Sequence, residues 1–171
     1  MSQSSKKVEW CLRKAKRELE EGNKHRGLVK RDANREEAEK HIFKAEHNLL
    51  AIEYFNLGGF SDWSMSAAFY CIYHCFLAII SKFGYESRNQ ECTIALLRYL
   101  KENQKIDLDD IFLQTLEEYD ITDKQESSVI ERREFYTYGT SISCNDKEEI
   151  EKSIKLCKEC IDKTKNIIFE E

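Results

Sequence analysis

The stretch Ala67–Ile80, with the sequence AAFYCIYHCFLAII, decides the fold. Among its fourteen residues only His74 is plainly polar. A helix of this composition is apolar on every side, so other helices have to enclose it. At about 1.5 Å per residue it spans ~21 Å as a helix, which is too short for a bilayer crossing, because that needs roughly 20 apolar residues. We therefore predict the central helix of a soluble helical bundle.

Composition supports one cytoplasmic domain without a membrane segment. The 171 residues include no proline and 35 % charged residues of both signs, which is typical of long helices joined by short turns. A net charge of -5 argues against a protein that binds nucleic acid by bulk attraction. The N-terminal sequence MSQSSKKVEW lacks the apolar run of a signal peptide, so we expect a cytoplasmic protein.

Helical periodicity continues along the rest of the chain. Asn34 has the residue type of a helix cap, and Gly58 and Gly84 are stop signals. We predict an all-α fold, an up-down four-helix bundle with extra N-terminal and short connecting helices, in a single domain of residues 1–171. The predicted helices are residues 6–21, 34–57, 61–83, 90–102, 107–119, 122–138 and 146–168.

Residues 1–32 are interpreted as a helical extension followed by a basic linker, KHRGLVKR. Such a linker is a solvated connection or a phosphate-contacting arm. The seven cysteines are an odd number in a cytosolic-looking chain, which argues against a disulfide framework and favours buried free thiols. Cys157 and Cys160 form a C-x-x-C, but no second pair accompanies it, so we predict no metal site.

A series of motifs is spread over roughly residues 35–168. They are an A-x-x-N-L-type helix, a glycine and aromatic link, a buried tyrosine and histidine helix, a serine and asparagine loop, and an arginine-rich segment ending in Tyr-Gly. The residues that carry them are Ala45, Asn48 and Leu49; Gly58, Gly59 and Phe60; FYCIYHC at 69–75; Gly84, Ser87, Arg88 and Asn89; and RREFYTYG at 132–139. In this order they resemble the HEPN domain, a nucleotide-binding fold of higher eukaryotes and prokaryotes.

The resemblance implies a helical bundle that is often dimeric and often encoded beside a small nucleotidyltransferase in toxin–antitoxin pairs. Many members are metal-independent ribonucleases with an R-x(4–6)-H signature. A histidine there can act as general base or acid near neutral pH, and the arginine can bind the phosphate. For this chain the resemblance implies a nucleotidyltransferase-type partner, a homodimer, a nucleotide or RNA ligand and no cofactor.

The chain lacks the histidine of the family's R-x(4–6)-H signature in its arginine-rich segment. Four residues separate Arg133 from Tyr138, where a histidine is expected, and no histidine follows His74. Tyrosine has a reference pKa near 10 and is a poor base at neutral pH. What remains is suited to binding, with Arg132 or Arg133 on a phosphate and Tyr136 or Tyr138 stacking on a base.

The arginine cluster has a plainer interpretation as well, in which the two arginines pair with Glu131 or Glu134 at a helix end. A literal R-x(5)-H match runs from Arg35 to His41, but it lies at the start of the second helix and arises readily by chance in so charged a chain.

Two further candidates lie near the central helix. His74 is either a buried neutral side chain or the group that replaces the missing base, at the mouth of a cleft near Arg88 and Arg133. Arg88 and Asn89 begin a predicted helix, and helix N-termini attract anions. We predict phosphate contact there.

Three hypotheses follow. The first is a nucleotide- or RNA-binding module with a degenerate catalytic motif that works with a nucleotidyltransferase. The second is a metal-independent endoribonuclease that uses Arg133 with His74 or Tyr138. The third is a protein-interaction module in which Tyr136 or Tyr138 receives a nucleotide group from the partner.

Overall fold

The protein is helical, as the sequence predicts. The computed structural model describes residues 2–117, 129–144 and 147–170, apart from the side chains of Ile130, Glu131, Arg132 and Tyr136. In these ranges seven helices and two short strands occur. They are α1 Gln3–Glu20, β1 Leu28–Lys30, α2 Arg35–Leu57, α3 Ser61–Lys82, β2 Tyr85–Ser87, α4 Gln90–Glu102, α5 Asp110–Thr115, α6 Val129–Tyr138 and α7 Lys147–Phe169. The all-α prediction is confirmed.

The predicted helix boundaries hold best where a cap residue has its expected partner. Asn34 Oδ1 accepts a hydrogen bond from the Glu37 backbone N–H at 2.9 Å at the start of α2. α5 is shorter than predicted. The starts of the helices predicted at 122–138 and 146–168 lie outside the described residues.

The basic linker and the loop at 85–89 contain strands that the sequence analysis missed. β1 pairs with β2 in antiparallel register, with Val29 opposite Glu86. Backbone bonds outside the strands extend the pairing, from Arg31 N–H to the Gly84 carbonyl at 2.9 Å and from Arg88 N–H to the Gly27 carbonyl at 3.3 Å. Strands of three residues are too short to show a period-2 pattern. The linker is therefore part of a small sheet.

The central stretch forms the middle of α3, and ten of its fourteen residues are buried. Tyr70 is 45 % exposed, and Tyr73, His74 and Leu77 are half-buried. The prediction of an enclosed helix is confirmed. Length alone does not decide against a membrane span, because the whole of α3, at 22 residues, is long and apolar enough to cross a membrane. Since 67 % of its apolar window is buried inside the protein, this composition is that of a core helix.

The chain divides into two compact units, each built from separate segments. The first unit comprises Met1–His41, Phe76–Leu108 and Thr164–Glu171, and the second comprises Ile42–Cys75 and Asp109–Lys163. Residues 1–32 lie in the first unit, where α1 packs on α4 and β1 on β2. The extension thus shares a core with residues 76–108.

A disulfide joins Cys11 on α1 to Cys92 on α4, which corrects the expectation that all thiols are free. Both sulfurs are fully buried. The bond was missed because 81 residues separate the two cysteines and only the packing of α1 against α4 brings them together. A salt bridge of 2.8 Å from Lys7 to Glu91 connects the same helices.

The other cysteines are buried free thiols, as predicted: Cys71, Cys75, Cys144, Cys157 and Cys160. Hydrogen bonds with Cys157 and Cys75, together with burial, raise the pKa of Cys71 far above its usual value. The Cys157 thiol also lies 3.7 Å from the Ala68 carbonyl. In the described ranges no cluster of three or more His, Cys, Asp or Glu side chains is placed to hold a metal. These thiols act as packing groups of the second unit.

Candidate functional site

In the second unit, α6 runs along the N-terminal half of α3, and two side-chain contacts connect them. The hydroxyl groups of Ser66 and Thr137 are 3.2 Å apart. The guanidinium of Arg133 lies 4.2 Å from the centre of the Phe69 ring. From Ser66 to Phe69 is three residues forward, and from Thr137 to Arg133 is four residues back. Between the two contacts, which are about one turn apart, the residue numbers rise along α3 and fall along α6, so the two helices are antiparallel here.

Arg133 is a predicted site residue with contacts to both α6 and α3. Its side chain is 19 % exposed, and one terminal nitrogen lies 3.7 Å from a carboxylate oxygen of Glu134. The plainer interpretation, an ion pair with Glu134, is thus realised, but at a long distance. Among the described residues the buried Nε of Arg133 has no hydrogen-bond partner. Among the described side chains, this long contact with Glu134 is the ion pair that compensates the charge of Arg133.

The Phe69 ring beneath Arg133 packs against two further aromatic rings of α3. The Phe69 ring stacks on Tyr73 with centroids 6.0 Å apart and meets the edge of Tyr70 at 5.1 Å. A guanidinium over such a ring gains a cation–π interaction and loses rotational freedom. His74 lies one turn after Tyr70 and is half-buried. The plainer prediction of a fully buried histidine is therefore not met.

A cavity of about 260 Å³ lies beside the Ser66–Thr137 contact. Its wall is rich in hydroxyl groups and includes the indole of Trp63, which is 54 % exposed. A ring exposed at the edge of a polar pocket can stack on a planar base. The lining residues are Asp62, Trp63, Ser66, Thr137, Gly139, Thr140, Ser141 and Ile142. The sequence analysis missed this cavity because its walls come from segments about 70 residues apart.

The other residues predicted on α6 have different outcomes. Tyr138 ends the helix and is 79 % exposed, so its ring does not pack in the core. Arg132 and Tyr136 lie in α6 by their backbone, but their side chains are outside the described residues.

Arg88 and Asn89, the predicted anion site, lie in the first unit and have intramolecular partners. Asn89 Oδ1 accepts the Cys92 backbone N–H at 2.9 Å and so caps α4 itself. Arg88 Nε donates to a Glu86 oxygen at 3.1 Å. A phosphate at this helix start would have to displace both interactions.

Glu86 is the centre of an ionic cluster that the sequence did not reveal. It accepts hydrogen bonds from Arg31 Nε at 3.1 Å and from Arg88, and its other close contact is His25 Nε2 at 3.0 Å. The interaction with His25, followed by that with Arg31, lowers the pKa of the Glu86 carboxyl. His25 is only 3 % exposed. The β1–β2 pairing brings Arg31 and His25, which are 55 and 61 positions before Glu86, to this carboxylate.

A second cavity, of about 440 Å³, lies beside the Glu86 cluster in the first unit. His41 lines it, and burial lowers the pKa of this histidine, against the opposing effect of Glu37 at 4.0 Å. Arg35, the other end of the literal R-x(5)-H match, does not line it. Its Nε lies 3.2 Å from Glu39, and its guanidinium lies over the Phe169 ring at 4.9 Å. The two residues of the match have separate partners.

The family model of the HEPN domain matches residues 38–167. The chain belongs to the HEPN domain family. The matched range includes α3, α6 and the Arg133–Phe69 contact, and this membership supports a nucleotide- or RNA-related function at the level of the family. HEPN proteins are typically soluble, in agreement with the buried α3. A comparison with curated proteins returned no match.

Proposed function

We propose that this HEPN protein is a binding module for a nucleotide or RNA, which works in the cytoplasm beside a nucleotidyltransferase-type partner in a toxin–antitoxin-type system. The observation that carries the proposal is the fixed position of Arg133 over Phe69, in a chain without any histidine after His74. A cation suited to phosphate is retained in the family segment. The histidine of the family's ribonucleases is replaced by other residue types.

The charge and the position of Arg133 support this ligand class. Its ion pair with Glu134 is 3.7 Å long, so much of its attraction for an anion remains available. A guanidinium binds phosphate through two parallel N–H donors, and the Phe69 ring below it restricts its orientation. Fixing the side chain before binding reduces the entropy lost on binding.

The cavity beside Trp63 supports a planar base as the other part of the ligand. Its hydroxyl groups, from Ser66 and Thr137 among others, can donate to or accept from the edge of a base. Stacking of a base on an aromatic ring contributes about 1–3 kcal/mol and tolerates every base. In this proposal the base binds at Trp63 on α3 and the phosphate binds at Arg133 on α6.

The experiment compares the full chain with Arg133→Ala. Labelled ATP and a labelled single-stranded RNA of mixed sequence serve as probes in fluorescence anisotropy. We expect wild-type binding and a loss of affinity of about tenfold or more in the variant, because one charge-assisted phosphate contact contributes roughly 1.5–3 kcal/mol. Arg13→Ala, on the exposed face of α1, is the control and should bind as wild type. Absent binding, or equal binding in all three proteins, would reject the proposal.

The ribonuclease hypothesis is decided in the same assay. RNA incubated with the wild-type protein in EDTA should stay intact if the protein only binds. Cleavage that is lost in both Arg133→Ala and His74→Ala would instead assign the catalytic role, with the half-buried His74 as the base.

The exposure of Tyr138 makes its hydroxyl group accessible as the acceptor of a nucleotide group from the nucleotidyltransferase partner. Its hydroxyl can attack the α-phosphate of a nucleoside triphosphate held by the nucleotidyltransferase, which forms a phosphodiester, releases pyrophosphate and leaves the phenolic proton to a base of the partner. Intact-mass analysis after incubation with the partner and ATP would show one added nucleotide, absent in Tyr138→Phe. Modification that persists in Tyr138→Phe would reject this acceptor. The homodimer stays a prediction.

A further inference from the structure

The outer face of α2 has an apolar stripe exposed to solvent. Its members are separated by four, three, four and three residues, a repeat of 3.5 that keeps them on one face of a helix. The exposed fractions are 74 % for Phe43, 68 % for Leu50, 75 % for Tyr54 and 87 % for Leu57, and His47 between them is exposed as well. We call these five residues the outer stripe.

The outer stripe is distinct from the face that α2 uses inside the second unit. That inner face holds Ile42, Ala45 and Ile52, which are all at most 5 % exposed. At 100° per residue the two faces lie on opposite sides of the helix. A helix of a globular protein normally has charged or polar residues opposite its buried face. Large apolar side chains there indicate a surface for another macromolecule.

The repeat of the outer stripe indicates that its partner is a helix. Spacings of four and three are those of the a and d positions of a coiled coil, in which each side chain inserts between four residues of the facing helix. The first, third and fifth members, Phe43, Leu50 and Leu57, occupy d positions, and His47 and Tyr54 occupy a positions. A partner that is not a helix would not require apolar residues at these spacings.

Charged residues along the two edges of the stripe define the chemistry of the partner. In the same register Glu46 and Glu53 occupy the g positions on one edge, and Lys44 occupies an e position on the other. Residues at e and g form the interhelical ion pairs that select a partner. The two glutamates therefore favour a partner helix with basic residues along the edge that they face.

A second copy of the chain does not supply those basic residues. In an antiparallel pair, Glu46 of one copy would lie near Glu53 of the other, and like charges would oppose each other. In a parallel pair Glu46 and Glu53 would face uncharged residues, and Lys44 would pair with Glu39 at the start of the stripe. We propose that the outer stripe binds an amphipathic helix of a different protein, with apolar residues at spacings of three and four and lysine or arginine facing Glu46 and Glu53.

This proposal concerns a protein contact and stands independently of nucleotide or RNA binding at Arg133. The probes are two labelled synthetic peptides of about four heptads with leucine at every a and d position, one with lysine and one with glutamate at e and g. We expect the full chain to bind the lysine peptide at least ~10-fold more tightly than the glutamate peptide, because ion pairs replace repulsions at Glu46 and Glu53 and the opposite change occurs only at Lys44. The Glu46→Lys/Glu53→Lys variant should reverse this preference.

A second set of variants tests the apolar part of the stripe. Leu50→Asp/Tyr54→Asp should weaken lysine-peptide binding by roughly 100-fold or more, because two apolar contacts are lost and two charges would be buried. Both positions are exposed, so circular dichroism should show an unchanged fold. Ile111→Asp, at another exposed apolar position of the same unit, is the matched control and should bind normally.

Several results would overturn the proposal. They are equal affinity for the two peptides, no affinity for either, or lysine-peptide binding that survives Leu50→Asp/Tyr54→Asp. Sedimentation of the wild-type chain tests whether a second copy covers the outer stripe instead. A wild-type dimer that dissociates in Leu50→Asp/Tyr54→Asp would assign the stripe to a second copy and overturn the proposal.

Discussion

The guanidinium of Arg133 lies 4.2 Å above the ring of Phe69, and this contact connects the arginine-rich segment of the sequence to its central apolar stretch. The ring is 4 % exposed, so its position is fixed by the core of the second unit. The arginine in turn is held by the ring. A residue of the core therefore determines where a positive charge is presented.

This arrangement predicts that Phe69 affects binding without touching the ligand. Phe69→Leu should lower the affinity for labelled RNA about three- to tenfold, because loss of a cation–π contact of roughly 0.5–1.5 kcal/mol frees the Arg133 side chain. Phe76→Leu, at a fully buried position of the same helix, is the control. It should lose comparable stability and keep its affinity. Equal losses of affinity in both variants would mean that general destabilisation is the cause.

The disulfide between Cys11 and Cys92 predicts a stability that depends on the redox state. It closes a loop of 81 residues, and the chain-entropy estimate for such a loop is about 4.5 kcal/mol. We expect Cys11→Ser and Cys92→Ser to lower the melting temperature equally and to abolish its response to dithiothreitol. Cys160→Ala, at a buried free thiol, should melt lower but still respond to the reductant. A wild-type melting temperature unaffected by dithiothreitol would contradict the prediction.

Two glycines with the same backbone conformation predict different costs of substitution. Gly84 has φ +75°, and a Cβ there would lie 2.7 Å from the Arg31 carbonyl oxygen, close to β1. Gly22 has φ +77° with no atom within 4 Å of the added carbon. Gly22→Ala should cost about 1 kcal/mol for the left-handed conformation alone. Gly84→Ala should cost roughly 1–3 kcal/mol more in urea unfolding, because a backbone atom has to move. Equal costs would exclude the clash as a cause.

Burial of His41 predicts a stability that decreases in weak acid. Because burial lowers its pKa below the ordinary value of 6.5, the unfolded chain binds the proton first as the pH falls. The free energy of unfolding should therefore decrease from about pH 7 to the folded pKa, by at most ~1.4 kcal/mol per pH unit for one proton. His41→Gln should flatten this slope between pH 7.5 and 5.5 in urea titrations. His47→Gln, at an exposed position of α2, should leave it as it is. A slope retained in His41→Gln would assign the effect to other groups.

Sequence patterns predicted the features that depend on neighbouring residues. The bounds of α4 agree with the predicted helix at 90–102, because Asn89 caps it and the apolar positions repeat with the helical period. The enclosure of Ala67–Ile80 follows from its composition alone. Arg133 was selected by its resemblance to a family motif, and the family is confirmed.

Features that depend on distant residues were not predictable in this way. Cys11 and Cys92 gave no signal of pairing, because their contact follows from helix packing. The partners of Glu86 become visible only after β1 and β2 are paired. The outer stripe of α2 is present in the sequence, but the buried face of the same helix has an equally regular spacing. Only the coordinates show that Phe43 and Leu50 are on the outside.

The division of the chain has a consequence for synthesis on the ribosome. The first unit needs residues up to 108 and again from 164, whereas α1 and β1 leave the ribosome well before α4 does. Until α4 has left the exit tunnel, the apolar side of the nascent α1, including Cys11, is exposed to solvent and to other macromolecules. A chaperone that binds this chain during synthesis would therefore protect α1 for the longest time, and pausing before residue 108 would prolong that exposure.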